Sequence, residues 1–156
     1  MKTNLKSKSE TSEILNTVSK LWNKDVPKIK NLKSHYLDND SEILIGGDLK
    51  IIRIGEEYLP FLTELKLLDT FPNVTVDMGA VKFMCNGANV MRPGIKNYSE
   101  FSKDEIVCVV EESQNKFLAV GKSLVDSSEM EQISKGEIIK NLHYISDKFW
   151  EISKTI

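Results

Sequence analysis

The spacing of apolar residues divides the chain into a helix, a hairpin and a run of short strands. Ile14, Leu15, Val18, Leu21 and Trp22 recur along one helical face, which predicts a helix over 7–22. Ser7 followed by Glu10 fits a capping box at its start. Pro27 interrupts the pattern, and residues 28–37 read as extended. Strands at 42–45 and 49–54 around Gly46-Gly47-Asp48 form a predicted hairpin, because glycine supplies the positive φ of a tight turn. A short helix is expected over 62–70, ended by Phe71-Pro72.

The second half is denser in signals. A strand at 74–76 precedes Asp77, a helix N-cap. Val81, Met84, Cys85 and Ala88 then share a helical stripe, with Lys82 and Asn86 opposite. Gly87 stands where a helix end favours the left-handed conformation, and Pro93-Gly94 marks a turn. Strands at 106–111 and 117–124 flank Ser113-Gln114-Asn115. Ser128 with Glu131 suggests a second capped helix, closed by Lys135-Gly136. Residues 138–145, a turn at Asp147-Lys148 and residues 149–152 read as a final hairpin. Many short strands with two short helices predict a small, mostly β barrel.

Length and composition bound the answer. At 156 residues, 40% apolar and 28% charged, the chain suits one domain or two small ones. It offers no apolar stretch that would span a bilayer and no secretory core, so a cytoplasmic protein is expected. The net charge of −2 hides an uneven distribution. Residues 1–36 carry eight lysines against three acids, a local +5, whereas residues 37–75 carry −5. A basic segment can follow phosphates or simply be a solvated surface. If it docks on ribosomal RNA, Lys6, Lys8, Lys20, Lys24, Lys28 and Lys30 are the contacts.

Candidate catalytic chemistry is sparse. The chain has no G-x-G-x-x-G, phosphate-loop or G-x-S-x-G motif. Its two histidines are His35 and His143, the latter read as structural within a strand. Cys85 and Cys108 suit small buried apolar positions better than a metal site. Glu111-Glu112 reads as a solvated strand end. The expectation is no enzyme, no cofactor and no metal.

Residues 76–95, VDMGAVKFMCNGANVMRPGI, resemble the opening of a PUA domain, an RNA-binding module. The matching pieces are Val76-Asp77-x-Gly79-Ala80, Gly87-Ala88-x-Val90 and Pro93-Gly94-Ile95, with Phe117–Gly121 as a strand ending in glycine. Together with the tail SSEMEQISKGEIIKNLHYISDKFWEI, the segment is similar to the malignant T-cell-amplified sequence and ligatin group of translation factors, in an archaeal-type stand-alone form. The resemblance implies an α+β protein: a small α/β pre-PUA domain over 1–73, then a mostly β PUA pseudo-barrel with two short helices over 74–156. It implies non-catalytic RNA binding in translation, to the acceptor end of tRNA or to small-subunit ribosomal RNA. A partner carrying a SUI1 domain would be a separate chain. The alternative is an accessory subunit that targets an RNA-modifying enzyme.

The implied groove collects named residues. Gly79 and Ala80 let a nucleotide backbone approach the helix start, although Asp77 opposes phosphate there. Gly87 and Gly94 allow a tight intervening loop, and the family motif adds Ala88, Asn89 and Pro93. Lys82, Arg92, Lys96 and Lys122 are the candidate phosphate contacts, and replacing Lys82 and Arg92 by Ala is expected to leave stability nearly unchanged. Met91 lines the groove edge, Val90 packs in the core, and Tyr98 or Phe101 could stack on a base.

Overall fold

The structure, a computed structural model, describes residues 2–156. The chain divides into two compact units, one ending at Glu64 and the other running Leu65–Ile156. The whole is α+β, mostly sheet with short helices. Among the described residues no helix is long and apolar enough to cross a membrane.

The first unit sets helix α1 (Lys8–Trp22) with an antiparallel sheet in the order β1 (Lys2–Leu5), β2 (Lys33–Asp38), β3 (Ser41–Gly46), β4 (Leu49–Ile54), β5 (Glu57–Pro60). Ser7 and Glu10 form the expected capping box at the start of α1. The buried stripe of α1 is Thr11, Leu15, Val18 and Trp22, and Leu21 stays 57% exposed. Thr11 tolerates burial because its hydroxyl accepts the Leu32 N–H at 3.0 Å. Trp22 Nε1 donates to the Tyr58 carbonyl at 2.9 Å, tying the helix end to β5. Neither β1 nor β5 follows from the apolar pattern. All four β1 residues are exposed, and Pro60 joins β5 at an edge of the sheet, where proline costs no ladder bond. The helix expected over 62–70 shrinks to α2 (Leu65–Leu68), which opens the second unit.

A buried carboxylate organises the sheet. Tyr36, Glu42, Arg53 and Tyr58 are successive cross-strand neighbours from β2 to β5. Glu42 Oε2 accepts Arg53 Nε at 2.8 Å, Glu42 Oε1 accepts the Ser34 hydroxyl at 2.9 Å, and the Lys6 ammonium lies 3.8 Å away while donating to Tyr36. A buried charge survives only when paired and hydrogen-bonded in this way.

The second unit is a nearly closed pseudo-barrel. Its sheet runs β7 (Val90–Met91), β11 (Glu137–Tyr144), β10 (Phe117–Ser123), β9 (Ile106–Glu111), β6 (Asn73–Val76), β8 (Ile95–Tyr98). The edge strands β7 and β8 are joined by the 3₁₀ turn Arg92–Gly94, which closes the ring through the chain itself. β6 and β9 pair in parallel, so residues 77–105 cross over between them and carry the 3₁₀ turn Met78–Ala80 and helix α3 (Val81–Met84). Val74, Val76, Met84, Val107, Met130 and Ile139 are among the core side chains.

Three expectations change here. Residues 149–152 belong to helix α4 (Lys148–Ser153), not to a strand, because Asp147 Oδ1 accepts the Trp150 N–H at 2.8 Å as its N-cap. Asp147 Oδ2 also accepts the Tyr144 N–H and lies 2.8 Å from His143 Nδ1, giving that buried histidine its structural role. The second cap is Asp126 with Glu129, two residues before Ser128 and Glu131, since Asp126 also takes the Lys103 N–H at 2.7 Å. Glu111 is buried rather than solvated. Hydrogen bonds from the Gln114 N–H and the Ser113 hydroxyl hold its carboxyl below the usual range.

Two substitutions report on these frames. Glu42→Ala, which strands Arg53, is expected to lower the stability of the first unit by about 3 kcal/mol, read by chemical denaturation. In the second unit, β10 bulges at Val120/Gly121, where a side-chain Cβ would overlap the Lys140 carbonyl. Gly121→Ala is therefore expected to force the β10–β11 pairing apart at a cost of about 3 kcal/mol or more, read as a lower Tm.

Candidate nucleic-acid interface

The crossover between β6 and β9 builds a groove of about 400 Å³. Its lining includes Gly79, Ala80, Ala88, Asn89, Met91 and Gly94, six of the twelve residues expected from the sequence. Asp77 N–H donates to the Gly94 carbonyl at 3.0 Å, bringing the start of the helical segment against the 92–94 turn. A Cβ at Gly94 would lie 3.8 Å from that of Ala80, so small residues keep the groove open there.

The far wall is tied down by amides. Gly87 adopts φ +87°, and a Cβ there would press on the Tyr144 ring at 3.0 Å. This turn sends the chain back so that Ala88 N–H donates to the Phe83 carbonyl at 3.0 Å. Asn141 Nδ2, from β11, donates to the carbonyls of Met84 at 3.1 Å and Ala88 at 3.0 Å. Asn89 Oδ1 accepts the Asn141 N–H at 3.0 Å, and Asn89 Nδ2 donates to Glu137 at 3.0 Å. Asn89 thus serves the groove as a brace.

Its surface is apolar and its head is acidic. Phe83 is 59% exposed and Met91 47%, two bare apolar side chains in the lining of one groove. At the head, Asp77 Oδ1 accepts the Ala80 N–H at 3.0 Å and Glu112 Oε2 accepts the Met78 N–H at 2.9 Å. Two carboxylates therefore already occupy donors that would otherwise attract phosphate. What remains open is a surface for the flat face of a base.

The expected cations separate by position. Lys82 is exposed on α3, between groove residues Ala80 and Phe83. Arg92 and Pro93 form the closing turn, where Arg92 Nε donates to the Met130 carbonyl at 3.1 Å and its guanidinium lies 5.9 Å from the Tyr98 ring centre. Unchanged stability on removal is therefore expected for Lys82 alone. Lys96 is exposed on β8, and Lys122 is half-buried on β10 opposite Lys140. Neither lines the groove. Phe101 is buried against Tyr98 in an edge-on contact at 6.4 Å and has no face for a base. The stacking candidate that sequence reasoning missed is Phe83. Its signal was an aromatic facing away from the Val81–Met84–Cys85 stripe.

Burial pushes the Cys85 thiol up, away from a reactive thiolate, and Cys108 is buried. No cluster of metal-ligating side chains exists among the described residues.

Comparison with known proteins places this architecture. Residues 72–145 match the PUA domain model, an RNA-binding module. The malignant T-cell-amplified sequence 2 protein of Mus musculus is 33% identical over 155 residues, covering 93% of this chain and 84% of its own. Translation machinery-associated protein 20 of Eremothecium gossypii is 28% identical over 168 residues, covering 95% and 92%. A crystal structure of a hypothetical protein from Pyrococcus horikoshii superposes with a TM-score of 0.79 at 30% identity, covering 97% of this chain and 99% of that one. With a relative of this identity aligned over nearly its full length and a PUA domain in the second half, the chain belongs to the malignant T-cell-amplified sequence family of PUA-domain proteins.

Proposed function

We propose that the protein is a non-catalytic RNA-binding factor of the translation machinery that receives a single-stranded RNA end, the tRNA acceptor end first among candidates, in the groove of its PUA domain. The observation that carries this reading is the groove's apolar lining beside exposed Phe83 and Met91, under a head whose backbone donors are taken by Asp77 and Glu112. Such a site favours unpaired bases over a phosphate ladder, because a base can leave its stack and lie on an aromatic ring while a duplex hides its faces. The names of the two eukaryotic relatives support a place in translation. On this reading residues 1–73 are a pre-PUA domain and 74–156 the PUA domain, the small ribosomal subunit is the site of action, and a SUI1-domain partner is a separate chain.

Lys82 is the cation best placed to meet the backbone that leads the end into the groove. Lys96 and Lys122 lie outside the groove lining, on β8 and β10.

The test compares mature tRNA with the same tRNA trimmed of its 3′ CCA at fixed salt. Trimming is expected to weaken binding strongly, and equal binding of the two overturns end capture. Phe83→Ala is expected to weaken binding of the mature tRNA about tenfold through lost stacking and to leave the trimmed form unaffected. Arg92→Ala, by contrast, is expected to lower Tm, since it removes the hydrogen bond that holds the Met130 carbonyl. A thermal melt separates that outcome from Lys82→Ala, which is expected to melt as the parent does because Lys82 is exposed.

A further inference from the structure

A second concave surface lies within the first unit. Helix α1 and the segment 25–30 enclose an open groove of about 940 Å³. Ser9, Ser12 and Asn16 form one line on α1 at helical spacing, and their side chains make no hydrogen bond within the described residues. Lys8 at the helix start and Lys28 and Lys30 on the opposite wall add three exposed ammonium groups, none in an ion pair among the described residues. One acid, Asp25, lines the groove against them.

The six lysines of the basic segment thereby sort into classes. Lys6 donates to Tyr36 and faces Glu42, so it belongs to the sheet's polar row. Lys20 and Lys24 do not line the groove. Lys8, Lys28 and Lys30 converge on it with hydroxyl and amide donors between them. The wall from Lys8 to Ser19 extends about 16 Å along the helix, room for several successive phosphates.

We propose that this groove is a second RNA-binding surface, which takes the sugar–phosphate backbone of a structured RNA independently of any 3′ end. Ammonium groups on both walls, hydroxyl and amide groups along the helix, and Leu15, Val26, Pro27 and Ile29 between them suit the charged phosphates and apolar sugar edges of a nucleic-acid backbone. This proposal stands apart from end capture by the PUA groove, and its failure is distinguishable because the probe has no end.

The probe is a covalently closed RNA dumbbell, and the protein is the full chain. Its binding is followed by fluorescence anisotropy across a salt series. The variant Lys8→Gln/Lys28→Gln/Lys30→Gln is expected to weaken binding about tenfold or more. It should also lower the slope of log affinity against log salt by about 2 to 3, the share of three phosphate contacts. Lys66→Gln/Lys103→Gln/Lys116→Gln removes the same charge elsewhere and is expected to bind as the parent does. The arginine version of the groove triple is expected to retain binding, which guards against a fold defect in the glutamine version. Absence of salt-dependent dumbbell binding, an unchanged slope in the groove variant, or equal loss in both glutamine triples overturns the proposal. Displacement of the dumbbell by polyglutamate as readily as by RNA also overturns it and points to an acidic protein instead.

Discussion

The groove of the second unit depends on one side-chain amide. Helix α3 is four residues long, too short to sustain itself in isolation, and its end leaves carbonyls without helical partners. Asn141 reaches from β11 and supplies both amide hydrogens to that end, at Met84 and Ala88. Asn89 returns the contact to the Asn141 backbone and to Glu137. A loop that would otherwise wander is thereby fixed to a strand of the barrel, and the apolar side chains it carries can stay exposed at defined positions. Rigid placement lowers the entropy lost when a ligand settles on them.

Charge is handled oppositely in the two units. In the first, a carboxylate is buried at the centre of the sheet and neutralised by Arg53, which leaves several surface lysines free of that duty. In the second, Asp77 and Glu112 spend their charge on backbone N–H groups at the mouth of a groove. The net charge of the whole chain, −2, therefore describes neither surface. A polyanion meets lysines on one and carboxylates on the other. Local arrangement, more than total charge, decides which part of an RNA each surface can hold.

Much of the frame was legible because local signals were strong and consistent. Ser7 and Glu10 marked the start of α1, Gly47 and its neighbours the first hairpin, and Asp77 the cap before α3. The misreadings have physical causes. Trp150 and Ile152 carry the spacing of a strand while Phe149 and Ile152 carry that of a helix, and the deciding contact is the reuse of Asp147 as a cap. Ser128 with Glu131 obeys the same rule as Asp126 with Glu129, and the second pair also receives a hydrogen bond from distant Lys103 that the sequence does not announce. At the site, glycines and small residues were readable from their motif. Arg92 was not, because a half-buried guanidinium bonded to a carbonyl 38 residues away looks, in sequence, like any surface cation. Asn141 gives no periodic signal at all, since its partners lie more than 50 residues earlier.

That separation has a consequence for how the molecule comes into being. Every residue that lines the groove lies between Val76 and Gly94, yet the brace that shapes its wall arrives at Asn141. During synthesis, the lining leaves the ribosome some 50 residues before the strand that holds it. A chain cut after β10 would contain the complete set of lining residues and no fixed wall. Competence at this surface is therefore acquired late and in one step with closure of the barrel, so that only finished molecules can compete for a ligand.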